Sequence, residues 1–443
     1  MFSSPPSVSL NATGRAAAGR RRGLRAAALR IPLVAGVLAV SCNWSSCASQ
    51  RTDGGTSAEL HWFRGNMHTH SLWSDGADYP EMIASWYRDA GYNFLVVTEH
   101  NRLQEGEMWV DLDAEDAGWP PRNQSAREAL QGFRERFPDH ADIEVRDGRR
   151  MIRLRGLSQY RHLFEVPQRF LLIMGEEITD AGGAHVNAIN LPEPLLPRGG
   201  ASTAERTRNN LDAVAALRAR TGIPILAIVN HPNFLWSLTA AEIAAMKRAR
   251  FFEVRSGHTL VNDDGDTTRP GTERIWDLVL AHRHAHGMPP IYGVGTDDAH
   301  DYRSFGGTVS LPGRAWVVVR AAELTPARLI DAMERGDFYI STGVTLRDVR
   351  VDDAGMHIEI EPEPGASYRT RFIGTRTGID IGSDTTGVGE VLAEFDELHA
   401  SYVFRGDERY VRAVVTSSLM LFDAVGGRPQ GWKRAWVQPA MRS

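Results

Sequence analysis

The stretch Asn66-Met67-His68-Thr69-His70-Ser71-Leu72-Trp73-Ser74-Asp75-Gly76 places two histidines two positions apart, with an aspartate five positions further on. The apolar and aromatic residues Trp62, Phe63 and Met67 predict a short strand here. Because successive side chains of a strand point to opposite faces, we expect His68 and His70 to project from the same face. Two imidazoles on one face can bind one metal ion, but an isolated His-x-His pair is more often a pair of ordinary polar residues. The rest of the chain decides between these interpretations.

Most polar clusters of the chain follow predicted apolar strands, whereas His185 lies within a predicted alternating strand at 184–189. In an α/β barrel the carboxyl ends of the strands meet at one face, so residues far apart in sequence converge there. Predicted helices at 207–220, 240–250 and 273–284 separate several of these strands, which favours a parallel barrel or a doubly wound sheet over residues 61–345; we prefer the barrel. The clusters are Thr98-Glu99-His100-Asn101, Gly175-Glu176-Glu177-Ile178-Thr179, His185, Asn230-His231-Pro232-Asn233, Arg255-Ser256-Gly257-His258 and Thr296-Asp297-Asp298-Ala299-His300.

An ordered set of motifs resembles the polymerase and histidinol phosphatase (PHP) family over about 240 residues. The set consists of His68-Thr69-His70 with Asp75, Thr98-Glu99-His100-Asn101, Gly175-Glu176-Glu177-Ile178, His185, Asn230-His231-Pro232 and Asp298-Ala299-His300. The resemblance implies a metal-dependent phosphoesterase on a distorted (β/α)7 barrel, typically with a trinuclear metal centre. One departure is Glu99, where the family usually has aspartate. Another is a long insertion at about 103–165, for which a lid over the site and a solvated surface excursion are both open interpretations.

Carried over residue by residue, the resemblance implies nine metal ligands. One zinc ion is usually satisfied by four ligands, so nine imply two or three divalent ions, with Glu177 as a bridging carboxylate. Imidazole and carboxylate ligands without thiolate suit Zn, Mn or Fe. The nine ligands are His68, His70, Asp75, His100, Glu177, His185, His231, Asp298 and His300.

Charge favours a phosphoester substrate. Two or three divalent ions outweigh three carboxylates, so the site would be electropositive in an acidic protein and would lower the pKa of water towards neutrality, which supplies a hydroxide nucleophile. Arg255 and Arg102 follow predicted strands and are candidates for holding phosphate oxygens. His258 is a candidate proton donor or substrate contact, and a purely structural role for it is an equal alternative.

The N-terminus predicts export. Residues 1–41 contain six arginines and no acidic residue, and an apolar run at 31–40 is too short for a comfortable membrane span. This pattern predicts a secretory signal followed by a linker at 42–60. Cys42 would be the acylated residue of a bacterial lipoprotein, but Ala39 stands where that signal prefers leucine, so lipid anchoring and free secretion stay open. We expect a periplasmic or outer-surface protein.

Composition excludes several classes of site and partner. The two cysteines, Cys42 and Cys47, both precede the predicted folded region, so we expect neither disulfides nor thiolate metal sites there. Loss of the six arginines with the signal takes the formal charge from −5 to −11. An acidic body argues against an extended nucleic-acid surface, and the expected partner is a small phosphoester.

From about residue 346 to 443, short alternating strands replace the earlier pattern and predict a small antiparallel β domain. Structural support and glycan binding are both open roles for it. The histidines 282, 284 and 286 fall at a predicted helix end, where we expect an exposed polar terminus rather than a metal site.

The sequence therefore predicts an exported, multinuclear metal-dependent hydrolase, with a phosphatase or phosphodiesterase first among the alternatives. An amidohydrolase-like enzyme that cleaves C–N or ester bonds would use similar ligands. A metal-stabilised binding module without activity is the third alternative, and the size of the ligand set argues against it. The oligomeric state is not predictable from the sequence.

Overall fold

The computed structural model describes residues 59–115, 122–303, 310–382, 385–422 and 427–442. The predicted signal and almost all of the predicted linker lie outside these ranges. None of the helices in the described ranges combines the length and the apolar character that crossing a membrane requires.

Strands predominate over helices in these residues. The strands are β1 (His61–Asn66), β2 (Phe94–His100), β3 (Met108–Asp111), β4 (Ile143–Arg146), β5 (Arg149–Leu154), β6 (Leu171–Asp180), β7 (Ala184–Ile189), β8 (Leu226–Val229), β9 (Phe251–Ser256), β10 (Tyr292–Thr296), β11 (Trp316–Ala321), β12 (Phe338–Ser341), β13 (Thr345–Val351), β14 (Gly355–Glu361), β15 (Tyr368–Arg376), β16 (Glu390–Phe395), β17 (His399–Val403), β18 (Glu408–Phe422) and β19 (Pro429–Met441). The α-helices are α1 (Pro80–Asp89), α2 (Arg122–Arg136), α3 (Leu157–Tyr160), α4 (Thr203–Thr221), α5 (Ala240–Ala245), α6 (Thr272–Ala285) and α7 (Pro326–Glu334).

Local capping explains where α4 begins and ends. The Ser202 hydroxyl accepts a hydrogen bond from the backbone N–H of Glu205 at 3.2 Å, so the helix begins four residues before the predicted position 207. It ends at Gly222, whose φ of 69° lies in the left-handed region.

The fold is mixed α/β around one sheet of thirteen strands, in the order β10-β9-β8-β7-β6-β2-β1-β11-β12-β19-β18-β15-β16. The neighbours β1–β2, β2–β6, β8–β9 and β9–β10 are parallel, whereas β7 is antiparallel to both β6 and β8. The sheet is therefore mixed rather than parallel throughout. Only Ala181–Gly183 separates β6 from β7, and so short a connection makes a hairpin, because a parallel crossover needs a dozen or more residues.

The parallel register brings the polar clusters to one edge of the sheet. Strands β1, β2, β6, β8, β9 and β10 all run in the same direction, so their carboxyl ends share this edge. His68 and His70 follow β1 rather than lie in it, because the strand ends at Asn66. The chain continues beside the segment that follows β10, where the backbone N–H of His70 donates to the carbonyl oxygen of Ala299 at 3.0 Å.

The predicted insertion at 103–165 is a folded element with its own apolar core. It contains the three-stranded sheet β3-β5-β4 and helix α2. Its buried apolar side chains pack on Leu72, Trp73 and Tyr79, and the rings of Tyr79 and Phe133 stack with centroids 4.0 Å apart. The insertion therefore packs against the segment that carries Asp75, and its role as a lid stays a prediction.

The C-terminal strands pair only in antiparallel fashion among the described residues, and they do so in two groups. Strands β13, β14 and β17 form a separate sheet, whereas β15, β16, β18 and β19 extend the large sheet through the pairing of β19 with β12. The predicted boundary at 345–346 falls where β13 begins, and hydrogen bonding of the main sheet continues across it.

Candidate metal centre

The nine predicted ligands converge at the edge where the parallel strands end. His100 is the last residue of β2, Glu177 lies in β6 directly opposite it, and His185 lies in β7. The remaining residues follow β1, β8 or β10. Six strands or the segments that follow them therefore contribute ligands to one cluster, namely β1, β2, β6, β7, β8 and β10.

The cluster contains three overlapping groups of residues. Within each group, the ligand atoms all lie within 4.8 Å of one another. His68 and His70 each belong to two groups, so the groups are not independent sites. The groups are His70, Asp75, His100 and His300; His68, His70 and Asp298; and His68, Glu177 and His231.

Glu177 lies at the centre. Its Oε1 lies 3.2 Å from His68 Nε2, 3.0 Å from His185 Nδ1 and 3.3 Å from His231 Nε2. Its Oε2 lies 2.7 Å from His100 Nδ1. His185 thus joins the cluster through Glu177, although it belongs to none of the three compact groups. One carboxylate contacts histidines from four elements, which is the arrangement expected of a bridging ligand.

Several separations in the cluster fit ligands of a common ion better than direct hydrogen bonds. His68 Nε2 and His70 Nε2 lie 3.2 and 3.3 Å from Asp298 Oδ1, and neither nitrogen has a hydrogen-bond partner among the described residues. Two ligand atoms about 2.1 Å from one tetrahedral ion lie about 3.4 Å apart. Buried imidazole nitrogens that lack partners are costly unless something binds them, so these residues fit a metal ion.

The group around Asp75 forms the open side of the cluster. Asp75 Oδ2 lies 3.1 Å from His100 Nε2, and Asp75 Oδ1 lies 3.4 Å from His300 Nε2. The side chains of Asp75 and His100 are each 25% exposed, whereas those of His68 and His70 are fully buried. The cluster is therefore accessible to solvent from the Asp75 side.

Comparisons with known proteins can be set beside this geometry. No protein-family model and no curated protein matches the chain. Among solved structures, it is similar to a two-domain protein from Bacteroides vulgatus that contains a predicted PHP-like metal-dependent phosphoesterase, with 14% identity, a TM-score of 0.38, and coverage of 86% of this chain and 95% of that one. It is also similar to an amidohydrolase from Chromobacterium violaceum with bound sulfate and no metal, with 13% identity, a TM-score of 0.24, and coverage of 56% of this chain and 89% of that one. All these values are too low to support a conclusion about activity.

Buried carboxylates and histidines in the cluster shift each other's pKa values. Burial alone lowers the pKa of His68, but Asp298, Glu177 and Glu253 together raise it well above its ordinary value. Burial alone would raise the pKa of Glu177, yet His185, His68 and His100 hold it well below its usual range. Protons on histidine can therefore neutralise the carboxylates, and divalent ions can take the place of those protons.

Sequence reasoning missed Glu253. It lies in β9 and is fully buried, with Oε1 2.7 Å from His68 Nδ1, while its Oε2 accepts a hydrogen bond from the backbone N–H of His231 at 2.8 Å. A carboxylate beside Nδ1 keeps the proton there and leaves Nε2 able to bind a metal. The signal that could have found it is an acidic residue inside the apolar run Phe251-Phe252-Glu253-Val254.

Asn230, for which the sequence predicts no separate role, lies beside the central carboxylate. Its Nδ2 donates to Oε1 of Glu177 at 2.7 Å and to Oδ1 of Asn187 at 3.0 Å. Asn230 therefore fixes the orientation of the central carboxylate without offering a metal ligand of its own.

Glu99, the departure from the family pattern, turns away from the ligand groups. Its carboxylate accepts hydrogen bonds from the Ser71 hydroxyl at 2.5 Å, from Gln104 Nε2 at 2.7 Å and from the Ser74 hydroxyl. These bonds hold the segment between His70 and Asp75. The longer glutamate thus supports the loop that carries Asp75.

The two arginines predicted to hold phosphate have no contact with the cluster among the described residues. The nearest carboxylates to Arg255 are Asp263 and Asp264, 3.6 and 3.7 Å from its Nη1. Arg102 is exposed, and its Nη1 lies 3.4 Å from the sulfur of Met108. The structure therefore places both outside the cluster.

His258 does lie beside the cluster, with its ring centroid 5.5 Å from that of His300. Its Nδ1 accepts a hydrogen bond from the backbone N–H of Leu260 at 3.2 Å, which assigns the ring proton to Nε2. By contrast, His282 and His286 stack on each other at the end of α6, where His286 Nδ1 donates to the carbonyl oxygen of His282. That pair lies outside all three groups.

Proposed function

We propose that this protein is a metal-dependent hydrolase of small phosphoesters that uses two or three divalent ions. The observation that carries the proposal is the set of three overlapping groups that share His68 and His70 and surround Glu177. A single ion would use about four ligands, so nine convergent side chains support more than one ion. Six imidazoles with three carboxylates suit Zn, Mn or Fe.

Ions bound in these groups would supply Lewis acidity and activate water for attack on phosphorus. The chain's own residues have separate tasks. Glu253 keeps the proton of His68 on Nδ1, and Asn230 orients Glu177. The half-buried Asp75, His100 and His300 line the side from which a substrate can enter.

His258 acts in this proposal as a hydrogen-bond donor to a substrate oxygen. Burial lowers the pKa of its imidazole, which favours the neutral ring with Nε2–H as its remaining donor. A neutral imidazole can orient and stabilise a phosphate or leaving-group oxygen without first taking up a proton. Arg255 and Arg102 both lie outside the ligand groups, so the charge that holds phosphate oxygens would come from the ions.

The deciding experiment measures metal content and hydrolysis on the same purified protein. Two to three ions per chain, with chelator-sensitive release of phosphate from generic monoester or diester substrates, would support the proposal. Full metal loading with hydrolysis of amide or ester substrates instead would favour the amidohydrolase-like alternative. Full loading with no hydrolysis of any of these substrates would favour the binding module.

Matched histidine variants separate loss of the centre from loss of the fold. His68→Ala removes a ligand that two groups share and should abolish turnover while the thermal unfolding transition of the chain persists. His282→Ala removes a histidine of the stacked pair in α6 and should leave both metal content and turnover unchanged.

Two further parts of the sequence prediction are kept as proposals. We infer closure of the parallel strands into a barrel, which is supported by close packing of β10 on β12: a Cβ added at Gly295 would lie 2.3 Å from Cγ2 of Ile340. Export, with acylation of Cys42 or free secretion, is supported by the sequence of residues 1–41 alone. Fractionation of cells that express the parent and Cys42→Ala, with mass spectrometry of the mature N-terminus, tests it.

A further inference from the structure

A second polar site lies at the same edge of the sheet as the metal cluster. Strands β1 and β12 are both antiparallel to β11, so β12 ends where β1 ends. Strand β19 pairs with β12 up to the pair Ser341–Ala435, and its preceding residues extend beyond that edge. Arg434, in this extension, donates its backbone N–H to the Thr342 hydroxyl at 2.9 Å.

The extension encloses a cavity of about 100 Å³ between β19 and the end of β9. Arg255, Thr342, Arg434 and Trp436 contribute to its lining, together with Asp264. A cavity needs only about 10–15 Å³ to hold a water molecule. This one therefore has room for a phosphate or carboxylate group.

The lining is rich in hydrogen-bond donors whose needs the described residues do not meet. Trp436 is 2% exposed, and its indole N–H has no hydrogen-bond partner among those residues; the same holds for Nε of Arg434. A buried donor without an acceptor is costly, so the arrangement favours an acceptor from a ligand.

The two arginines of the cavity are only loosely paired with carboxylates, at 3.4–3.7 Å. Two guanidinium groups line the cavity against one carboxylate, and the side chain of Asp264 is 88% exposed, so water screens its charge. The other acidic neighbours are Asp263, 3.6 Å from Arg255 Nη1, and Glu273, 3.4 Å from Arg434 Nη1. Each guanidinium has five N–H donors in a planar fork, so donors remain for a planar or tetrahedral oxyanion.

The cavity and the metal cluster are close to each other along the chain. His258, whose ring lies beside His300, follows Arg255 by three residues, and three residues span at most about 11 Å. One small molecule could therefore place a phosphoester at the cluster and a second charged group in the cavity.

We propose that the cavity lined by Arg255, Arg434 and Trp436 is an anion-binding subsite for a carboxylate or phosphate on the leaving portion of the substrate. This assignment rests on the proposed phosphoester hydrolase function and narrows its substrate class to phosphoesters that carry a further acidic group. The sequence made Arg255 a candidate for holding the oxygens of the reacting phosphate. In this proposal it binds the second acidic group of the substrate and so contributes to specificity.

The test compares pairs of aryl phosphates that differ only in a distal side arm of increasing length, which ends in a carboxylate or in its methyl ester. The metal-loaded protein should hydrolyse the carboxylate of the matching length with a kcat/KM about tenfold or more above that of its ester, because hydrogen bonds between charged groups are the strong ones. Arg255→Gln and Arg434→Gln should each reduce this ratio towards one. Arg350→Gln, which removes an exposed arginine of β13, should leave the ratio unchanged.

Each outcome bears on one proposal. A ratio of one in the parent at every length, or a ratio that both cavity variants retain, overturns the subsite and leaves the hydrolase standing. If neither substrate is hydrolysed, the hydrolase proposal fails, and calorimetric titration of the metal-loaded protein with inorganic sulfate then tests the subsite alone. Binding that Arg255→Gln and Arg434→Gln both weaken supports it, and binding that neither changes overturns it.

Discussion

Oε1 of Glu253 lies 2.7 Å from Nδ1 of His68, and both side chains are fully buried. The same oxygen accepts a hydrogen bond from the Thr296 hydroxyl at 2.7 Å, so the carboxylate is fixed from two sides. His68 Nε2 is thereby directed at Glu177 and Asp298. A glutamate that is not itself in any ligand group thus decides which nitrogen of His68 can bind metal.

Glu253→Gln should weaken metal binding by about 10–100-fold, the usual effect of losing an outer-shell carboxylate. The carboxylate of Glu253 accepts hydrogen bonds on both oxygens, from His68 Nδ1 and from the backbone N–H of His231. A glutamine has only one acceptor oxygen, so its NH₂ group would face one of these two donors. Competition with a chelator of known affinity measures the change. Glu176→Gln is the matched control, because that buried glutamate binds the backbone of Leu195 instead. Equal affinity in the parent and Glu253→Gln would refute the positioning role.

Replacement of Glu177 should cost more ions than replacement of Asp75. Glu177→Gln removes the negative charge that faces the histidines of several groups. Among the described histidines, Asp75 contacts the three of its own group, His70, His100 and His300. We expect Asp75→Asn to lose one ion per chain and Glu177→Gln to lose more, with a fall in turnover beyond the 10–100-fold of outer-shell changes. Metal analysis of dialysed variants measures both. Equal ion losses would contradict a central place for Glu177.

Asp263 should make stability depend on pH. Burial, opposed by Arg255, raises the pKa of Asp263 from 3.8 to about 7. The protonated carboxyl of Asp263 therefore stabilises the folded state. Its contribution to the unfolding free energy is complete below about pH 4 and is lost as the pH rises to 7. The loss is at most about 1.4 kcal/mol per pH unit. Asp263→Asn stays neutral at every pH. The unfolding free energy of the variant minus that of the parent should therefore increase as the pH rises over this interval, and urea titrations measure it.

Asp264→Asn is the control for that prediction. Its side chain is 88% exposed, so we expect a difference from the parent that hardly changes with pH. The prediction for Asp263 fails if Asp263→Asn and the parent lose stability in parallel between pH 5 and pH 7.

The sequence could predict that its polar clusters converge, because most of them follow apolar strands and parallel strands place their carboxyl ends together. The choice of the nine ligands among these polar residues came from the resemblance to the PHP family. Histidines such as His100 and His231, 131 positions apart, needed no contact information to be grouped. Metal binding by these residues stays a prediction, because the proximity of ligand atoms does not by itself show that an ion is bound.

The direction of side chains near strand ends could not be predicted from the sequence. Glu253 and Arg255 are two apart in β9 and should share a face, yet Glu253 contacts His68 and Arg255 lines the cavity by β19. The pairing of β9 with β10 shifts register between Val294 and Gly295, and such a bulge re-aims the following side chain. The pairing of β12 with β19, about 95 residues further along the chain, likewise has no local signal.

Asp277→Asn should destabilise the fold by about 3 kcal/mol, the lower end of the usual cost of removing one partner of a buried ion pair, because Glu273 remains 3.7 Å from Arg412 Nη1. Asp277 in α6 accepts hydrogen bonds from Nε and Nη2 of Arg412 at 2.8 and 2.7 Å and from the Tyr410 hydroxyl, and Arg412 is 1% exposed. This pair ties α6 to β18, so its loss should loosen the C-terminal strands. Denaturant unfolding measures the change, with Asp331→Asn, which breaks an exposed pair with Arg335, as a control expected within 0.5 kcal/mol of the parent. Equal effects of the two variants would mean that α6 and β18 are held together by their apolar contacts instead.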